Sequence, residues 1–153
     1  MSSLLDELRN EHRIMLDLLD QVRQLGISSR TGQERFLSIR VLLLAHMKKE
    51  DETFYPALKR AAEQNETLRL ALDYFAKDME NVSRRALQVF DKYTRGGSET
   101  EFTGDLKLLY MTLKDRIHIE EETLFTKYGG VFRQDAEFSA NPSTGSGTTG
   151  GRE

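Results

Sequence analysis

Apolar side chains recur at steps of three and four along most of this chain, and that period restricts it to helices that bury one face. The stripe Leu5, Leu8, His12, Met15, Leu19, Val22 predicts a first helix from about Ser3 to Leu25. Ser3 can cap it, Asp6 suits its first turn, and Gly26 stops it. A second helix opens at "TGQE", where Thr31 and Glu34 form a capping-box pattern. Its stripe is Phe36, Ile39, Leu43, His46 and Glu50, with Phe54 just beyond. Pro56 either kinks this helix or begins a short continuation through Ala62. A third helix starts near Asn65 or Thr67 and ends before Gly96-Gly97. It carries Leu68, Leu72, Phe75, Met79, Val82, Ala86, Val89 and Tyr93 on one face. A fourth runs from about Thr100 to Tyr128 and stops at Gly129-Gly130. Met111, His118, Glu122 and Phe125 share one of its faces, with Asp115 between them, while Leu106, Leu109, Leu113 and Ile117 supply the adjoining apolar face.

Four helices of similar length with short loops predict an all-α, antiparallel up-down-up-down four-helix bundle over residues 1–132. From about Arg133 the composition shifts to Gly, Ser and Thr, ending "SANPSTGSGTTGGRE". Residues 133–153 read as a disordered tail, or as a linker to a protein partner or a fused domain.

The charge is mild, 22 basic against 25 acidic residues, which gives no broad basic surface and argues against nucleic acid as a partner. There are no cysteines, so disulfides, iron–sulfur clusters and thiolate zinc sites are excluded. The N-terminal "MSSLLDELRNEH" lacks a basic region followed by an apolar run, and "VLLLAHM" is too short to span a bilayer. A cytoplasmic protein without a membrane span is expected.

The three histidines, His12, His46 and His118, all fall on inward or core-flanking positions of these stripes. Two are followed by glutamate one turn later, His46 by Glu50 and His118 by Glu122, and residues four apart share a helix face. A bundle core that held three imidazoles and two carboxylates unpaired would be costly, and a metal ion satisfies them together. Imidazole with carboxylate and no thiolate suits iron, manganese or zinc. Two carboxylates able to bridge, one from each half of the chain, favour a pair of ions. The two halves also echo each other: "HMKKEDETF" on helix 2 resembles "HIEEETLF" on helix 4 with one residue deleted. The ferritin-type Glu-x-x-His order is absent, and only Asp115-x-x-His118 approaches it.

"EHRIML", "HMKKEDETFYP" and "HIEEETLF", in that order and on those helices, resemble the hemerythrin family, in particular its bacterial HHE cation-binding branch. The resemblance implies a non-haem di-iron centre inside the bundle. It implies that His12, His46 and His118 are terminal ligands and that Glu50 and Glu122 bridge the irons with an oxo or hydroxo group. Oxygen-carrying members place two further histidines on helix 3, and this chain has none there. Aligning "KDMENVSRRAL" with that pattern puts Ala76 at the first position and Glu80 at the second. Glu80 is therefore expected as the sixth ligand, with Asp78 as the alternative. A carboxylate-rich set of three His and three Glu favours ferric iron and readiness toward dioxygen, peroxide or nitric oxide over reversible oxygen carriage. Modest oxidase or peroxidase chemistry, or sensing of iron, oxygen or nitric oxide, would follow.

Overall fold

The computed structural model describes residues 3–94 and 97–132. The expected tail from Arg133 onward lies outside the described residues. Helix α1 is Leu4–Leu25 and α2 is Arg30–Lys49. A π-helical turn, Glu50–Phe54, joins α2 to α3, Tyr55–Ala62. Helix α4 is Glu66–Lys92 and α5 is Glu99–Glu120. A second π turn, Glu121–Phe125, leads into the short α6, Thr126–Tyr128. Four long helical rods thus form an all-α bundle, with α1 packed on α2 and α5, and α4 packed on α2, α3 and α5. No helix among the described residues is long and apolar enough to cross a membrane.

The helix ends follow from side chains that replace missing backbone partners. Ser3 and Asp6 form a reciprocal capping box on α1. Asn65 caps α4 and Ser98 caps α5. The expected cap of α2 is corrected: Ser29, not Thr31, accepts from Gly32 N, and the helix begins at Arg30. The turn between α1 and α2 is tight. Gly26 holds a φ of 76°, and a Cβ on Gly32 would lie 1.9 Å from the Gly26 carbonyl oxygen.

Both π turns lie beside the bundle centre. In the first, Tyr55 N–H donates to Glu50 O five residues back. Pro56, which has no N–H to give, sits in the first turn of α3. The chain thus absorbs Pro56 and continues through Ala62, the second of the two outcomes its position allowed. The second π turn closes the same way, Thr126 N–H on Glu121 O, without a proline.

The core divides into two apolar clusters. One gathers Met15, Leu19, Phe36, Leu43, Val82, Phe90, Phe102 and Leu113 with their neighbours. The other gathers Leu5, Leu8, Phe54, Leu58, Leu72, Phe75, Leu124 and Phe125. Each rod passes from one cluster to the other through polar positions: His12 on α1, His46 on α2 and Glu50 on the π turn that follows it, Asp78 on α4, Arg116 and Glu120 on α5. A polar layer therefore crosses the middle of the bundle.

Candidate metal centre

His12 enters the layer because it continues the Leu5–Leu8 stripe of α1 between Leu8 and Met15. His46 and Glu50 continue the Phe36–Ile39–Leu43 stripe of α2 by the same arithmetic. On α5, the stripe Leu106, Leu109, Leu113 steps on by three and four to Arg116 and Glu120. One donor atom from each of His12, His46, Glu50 and Glu120 lies within 4.8 Å of the others, and all four residues are buried. His12 Nε2 stands 3.6 Å from Glu50 Oε1 and 3.5 Å from Glu120 Oε1. His46 Nε2 approaches Glu50 Oε1 at 2.6 Å. Even so, Glu50 Oε1 and Glu120 Oε1 have no hydrogen-bond partner. A cavity of about 20 Å³ sits among these side chains, lined also by Met15, Leu43, Met79 and Leu113.

Outer groups aim the inner ones. His46 Nδ1 donates to Glu11 Oε1 at 2.8 Å, so the neutral ring keeps its proton there and offers the Nε2 lone pair to a bound cation. Lys49 Nζ holds the other oxygen of Glu11 at 2.5 Å. Tyr55 donates its O–H to Glu120 Oε2 at 2.9 Å, leaving Oε1 toward the histidines. The His12 ring is stacked on Phe125, 5.8 Å between centroids, and its Nδ1 faces Glu121 Oε1 at 3.6 Å without a hydrogen bond.

The charges respond to one another. Burial pushes Glu50 up, but the two imidazoles beside it outweigh burial and bring it down to about 2. Glu120 goes the other way: burial raises it, and the negative charge of Glu50 adds to that. Burial opposes a charged His12, yet Glu120 and Glu50 overcome it and hold the ring up at about 9. His46 is raised similarly, with burial opposed by Glu50 and Glu11. Two imidazoles and two carboxylates that share protons in this way form a set that one cation can replace.

Of the six ligands expected, the structure brings together His12, His46 and Glu50. It leaves the other three elsewhere. His118 and Glu122 are exposed, and so is Met111 of the same face, because the inward face of α5 runs through Leu113, Arg116 and Glu120 instead. Glu80 is exposed, 74% at its side chain, and pairs with Arg84 on its own helix. The alternative, Asp78, is half-buried, and Arg116 Nη1 donates to its Oδ2 at 3.0 Å. Sequence reasoning missed Glu120, Arg116, Glu11 and Tyr55. The signal for the first two was present. Reading the repeat without its deletion sets His46, Glu50 and Phe54 against Arg116, Glu120 and Leu124, each four residues apart.

A donor set of two imidazoles and two carboxylates is what iron, manganese and zinc take. Donors about 2.0–2.2 Å from one ion stand at most roughly 4.4 Å apart, so the observed spread needs only a few tenths of an ångström of adjustment. The cluster therefore fits one cation. A family model described as Hemerythrin HHE cation binding domain matches residues 3–128. No curated protein and no solved structure matched the chain.

Proposed function

The chain belongs to the hemerythrin HHE cation-binding family, and from that premise we propose that His12, His46, Glu50 and Glu120 hold non-haem iron that meets dioxygen, peroxide or nitric oxide. One observation carries the reading: two buried carboxylate oxygens, Glu50 Oε1 and Glu120 Oε1, face two imidazole Nε2 atoms with no hydrogen bond to satisfy them. Leaving such groups unpaired in a core is costly, and a cation removes the cost. Iron in such a set of hard donors supplies one-electron chemistry toward small oxidants.

The protein groups have separable tasks. Glu11 holds the Nδ1 proton of His46, so that with a cation bound the Nε2 lone pair points inward. Tyr55 restrains Glu120 through one oxygen and frees the other. Met15, Leu43 and Leu113 close the cluster on one side against water. On the other side a groove of about 260 Å³, lined by Met47, Glu50, Tyr55, Phe75, Met79 and Ser83 among others, offers a small molecule a path to Glu50. Its walls are mostly apolar, which suits uncharged molecules such as dioxygen, peroxide and nitric oxide.

The test is metal analysis of protein purified from iron-replete cells, then optical spectra of the ferrous protein before and after anaerobic addition of peroxide, and separately of oxygen or nitric oxide. Iron bound in the fold, with new absorption on exposure to an oxidant or nitric oxide, is expected. Protein that binds no iron, or iron whose spectrum none of the three changes, overturns the reading. Manganese found in place of iron would reassign the metal, and zinc, which has no redox chemistry, would remove the oxidant chemistry.

A further inference from the structure

We propose that the bundle centre is built for a single metal ion, with the Arg116 guanidinium as the fixed positive charge on the side where a second ion would lie. The inference rests on the metal-binding function proposed above.

Four observations carry it. The first is the fate of Glu120. A carboxylate that bridges two ions in the usual way gives one oxygen to each. Glu120 Oε1 faces His12, but Oε2 accepts from Tyr55 at 2.9 Å and has Arg116 Nη2 3.9 Å away. The second is the seating of Arg116, which is 5% exposed. Nη1 donates to Asp78 Oδ2 at 3.0 Å, Nη2 donates to the Phe75 carbonyl oxygen at 3.1 Å and more weakly to Tyr55 Oη at 3.4 Å, and the guanidinium lies 4.4 Å from the centre of the Phe75 ring. These contacts come from α4 and α3, so two neighbouring helices hold the cation. Third, α4 offers the centre no ligand. Its layer is Phe75, Met79 and Val82, and its half-buried carboxylate, Asp78, is engaged by Arg116. Fourth, the cavity of about 20 Å³ has room for one water-sized occupant.

The repeat within the chain shows what has changed. The first hairpin supplies His46 and Glu50 four residues apart, and the second supplies Arg116 and Glu120 at the same spacing. A permanently charged donor group therefore stands where the first hairpin has a ligand. Arg cannot give up its proton to coordinate a metal, and it repels a cation beside it. The electrostatics close with one ion: Glu50, Glu120 and Asp78 together balance Arg116 and one divalent cation. A second divalent ion would add two positive charges that these three carboxylates leave unbalanced, and only a bridging oxo group or a further carboxylate could offset them. The pair of ions that the family resemblance implies therefore does not fit these residues.

The experiment uses the full chain, stripped of metal and reloaded with ferrous iron under anaerobic conditions. Ions per chain are counted by elemental analysis and native mass spectrometry, and the oxidised protein is examined by electron paramagnetic resonance. One ion per chain, with the signal of isolated high-spin ferric iron, is expected. Two ions per chain, giving a spin-coupled pair without that signal, overturn the inference and leave the metal-binding function standing. No bound ion overturns both. A second measurement isolates the charge. Arg116→Met removes the cation at similar volume, and melting curves of it and the parent protein are compared in chelator and in saturating manganese. With the repulsion gone, the variant should bind the ion about tenfold more tightly or better, so manganese should raise its melting temperature more than it raises the parent's. Equal rises in the two proteins overturn the role given to Arg116.

Discussion

Glu120 and Glu122 are two residues apart and chemically identical, yet the structure gives them opposite fates, so they make a controlled pair. Glu120→Gln keeps the shape and removes the charge that faces His12. It should lower metal affinity by more than the roughly 10–100-fold expected for a partner that only orients a ligand. Glu122→Gln and His118→Ala, on the exposed face of α5, should leave affinity unchanged. Competition against a chelating dye reads all three. Glu11→Gln belongs to the orienting class: it leaves every donor in place but weakens the contact that fixes the His46 tautomer, and a loss within that 10–100-fold range is expected. Wild-type affinity in Glu11→Gln would remove Glu11 from the site. The same residues show where the site was legible. His12, His46 and Glu50 could be read directly, because each continues an apolar stripe at unbroken helical spacing. Glu120 could not be read so easily. Its stripe passes through Arg116, which looks like an end to burial, while His118-x-x-x-Glu122 on the next face copies His46-x-x-x-Glu50 letter for letter. The residue types pointed to one face of α5 and the period to the other, and burial follows the period.

Element ends carry their own tests. The α1–α2 turn is closed by Gly32 against the Gly26 carbonyl and by Glu99 of α5, whose Oε1 accepts from Ile27 N at 3.0 Å and also from Ser28 N. Gly32→Ala forces a methyl group into backbone and should cost about 1–3 kcal/mol of stability in chemical denaturation. Ser29→Ala should cost about 1 kcal/mol by removing the α2 cap, and Thr31→Ala much less. "TGQE" was a sound capping pattern on sequence alone. What moved the start of α2 to Arg30 is the contact between Gly26 and Gly32, which exists only once the two helices pack. The π turns were likewise beyond sequence period, although Pro56 marked one of them. At the other loop, Tyr93 donates to Asp105 Oδ2 at 2.5 Å and Lys92 reaches it at 2.9 Å, joining α4 to α5. Tyr93, and then Lys92, hold the Asp105 carboxyl below its ordinary value. A depressed carboxylate contributes stability that is complete above its unfolded pKa, about 3.8, and is lost as pH falls through the lower folded value. Asp105→Asn should therefore be less stable than the parent at neutral pH, by a modest margin for so exposed a group. The gap should narrow as an acid titration passes below about pH 4, and a gap that widened there would contradict this account.

At the scale of the molecule, the bundle consists of two apolar clusters separated by a polar layer, and its stability depends on how that layer is satisfied. The fold itself was readable because the two clusters obey one period along every rod. The division between them was not, since it depends on which polar residues line up across four helices. A bound cation would tie the clusters together. At a free metal concentration a hundred times the dissociation constant, binding adds about 2.7 kcal/mol, enough to raise the melting temperature of a domain this size by roughly 10 °C. The distribution of that gain is more telling than its size. The four donors come from α1, α2 with its π turn, and α5, while α4 meets the layer only through Asp78, Met79 and the Arg116 contacts. Metal should therefore slow amide hydrogen exchange around His12, around His46–Glu50 and around Glu120 together, with a smaller change on α4 near Asp78–Glu80. Ligation by Glu80 would give the opposite pattern, with α4 slowing as strongly as the other three helices. Exchange measured by mass spectrometry on chelated and metal-loaded protein separates these outcomes, because peptides from α4 and from α5 report independently. Equal protection on α4 would return Glu80 to the ligand set and reopen the case for a second ion.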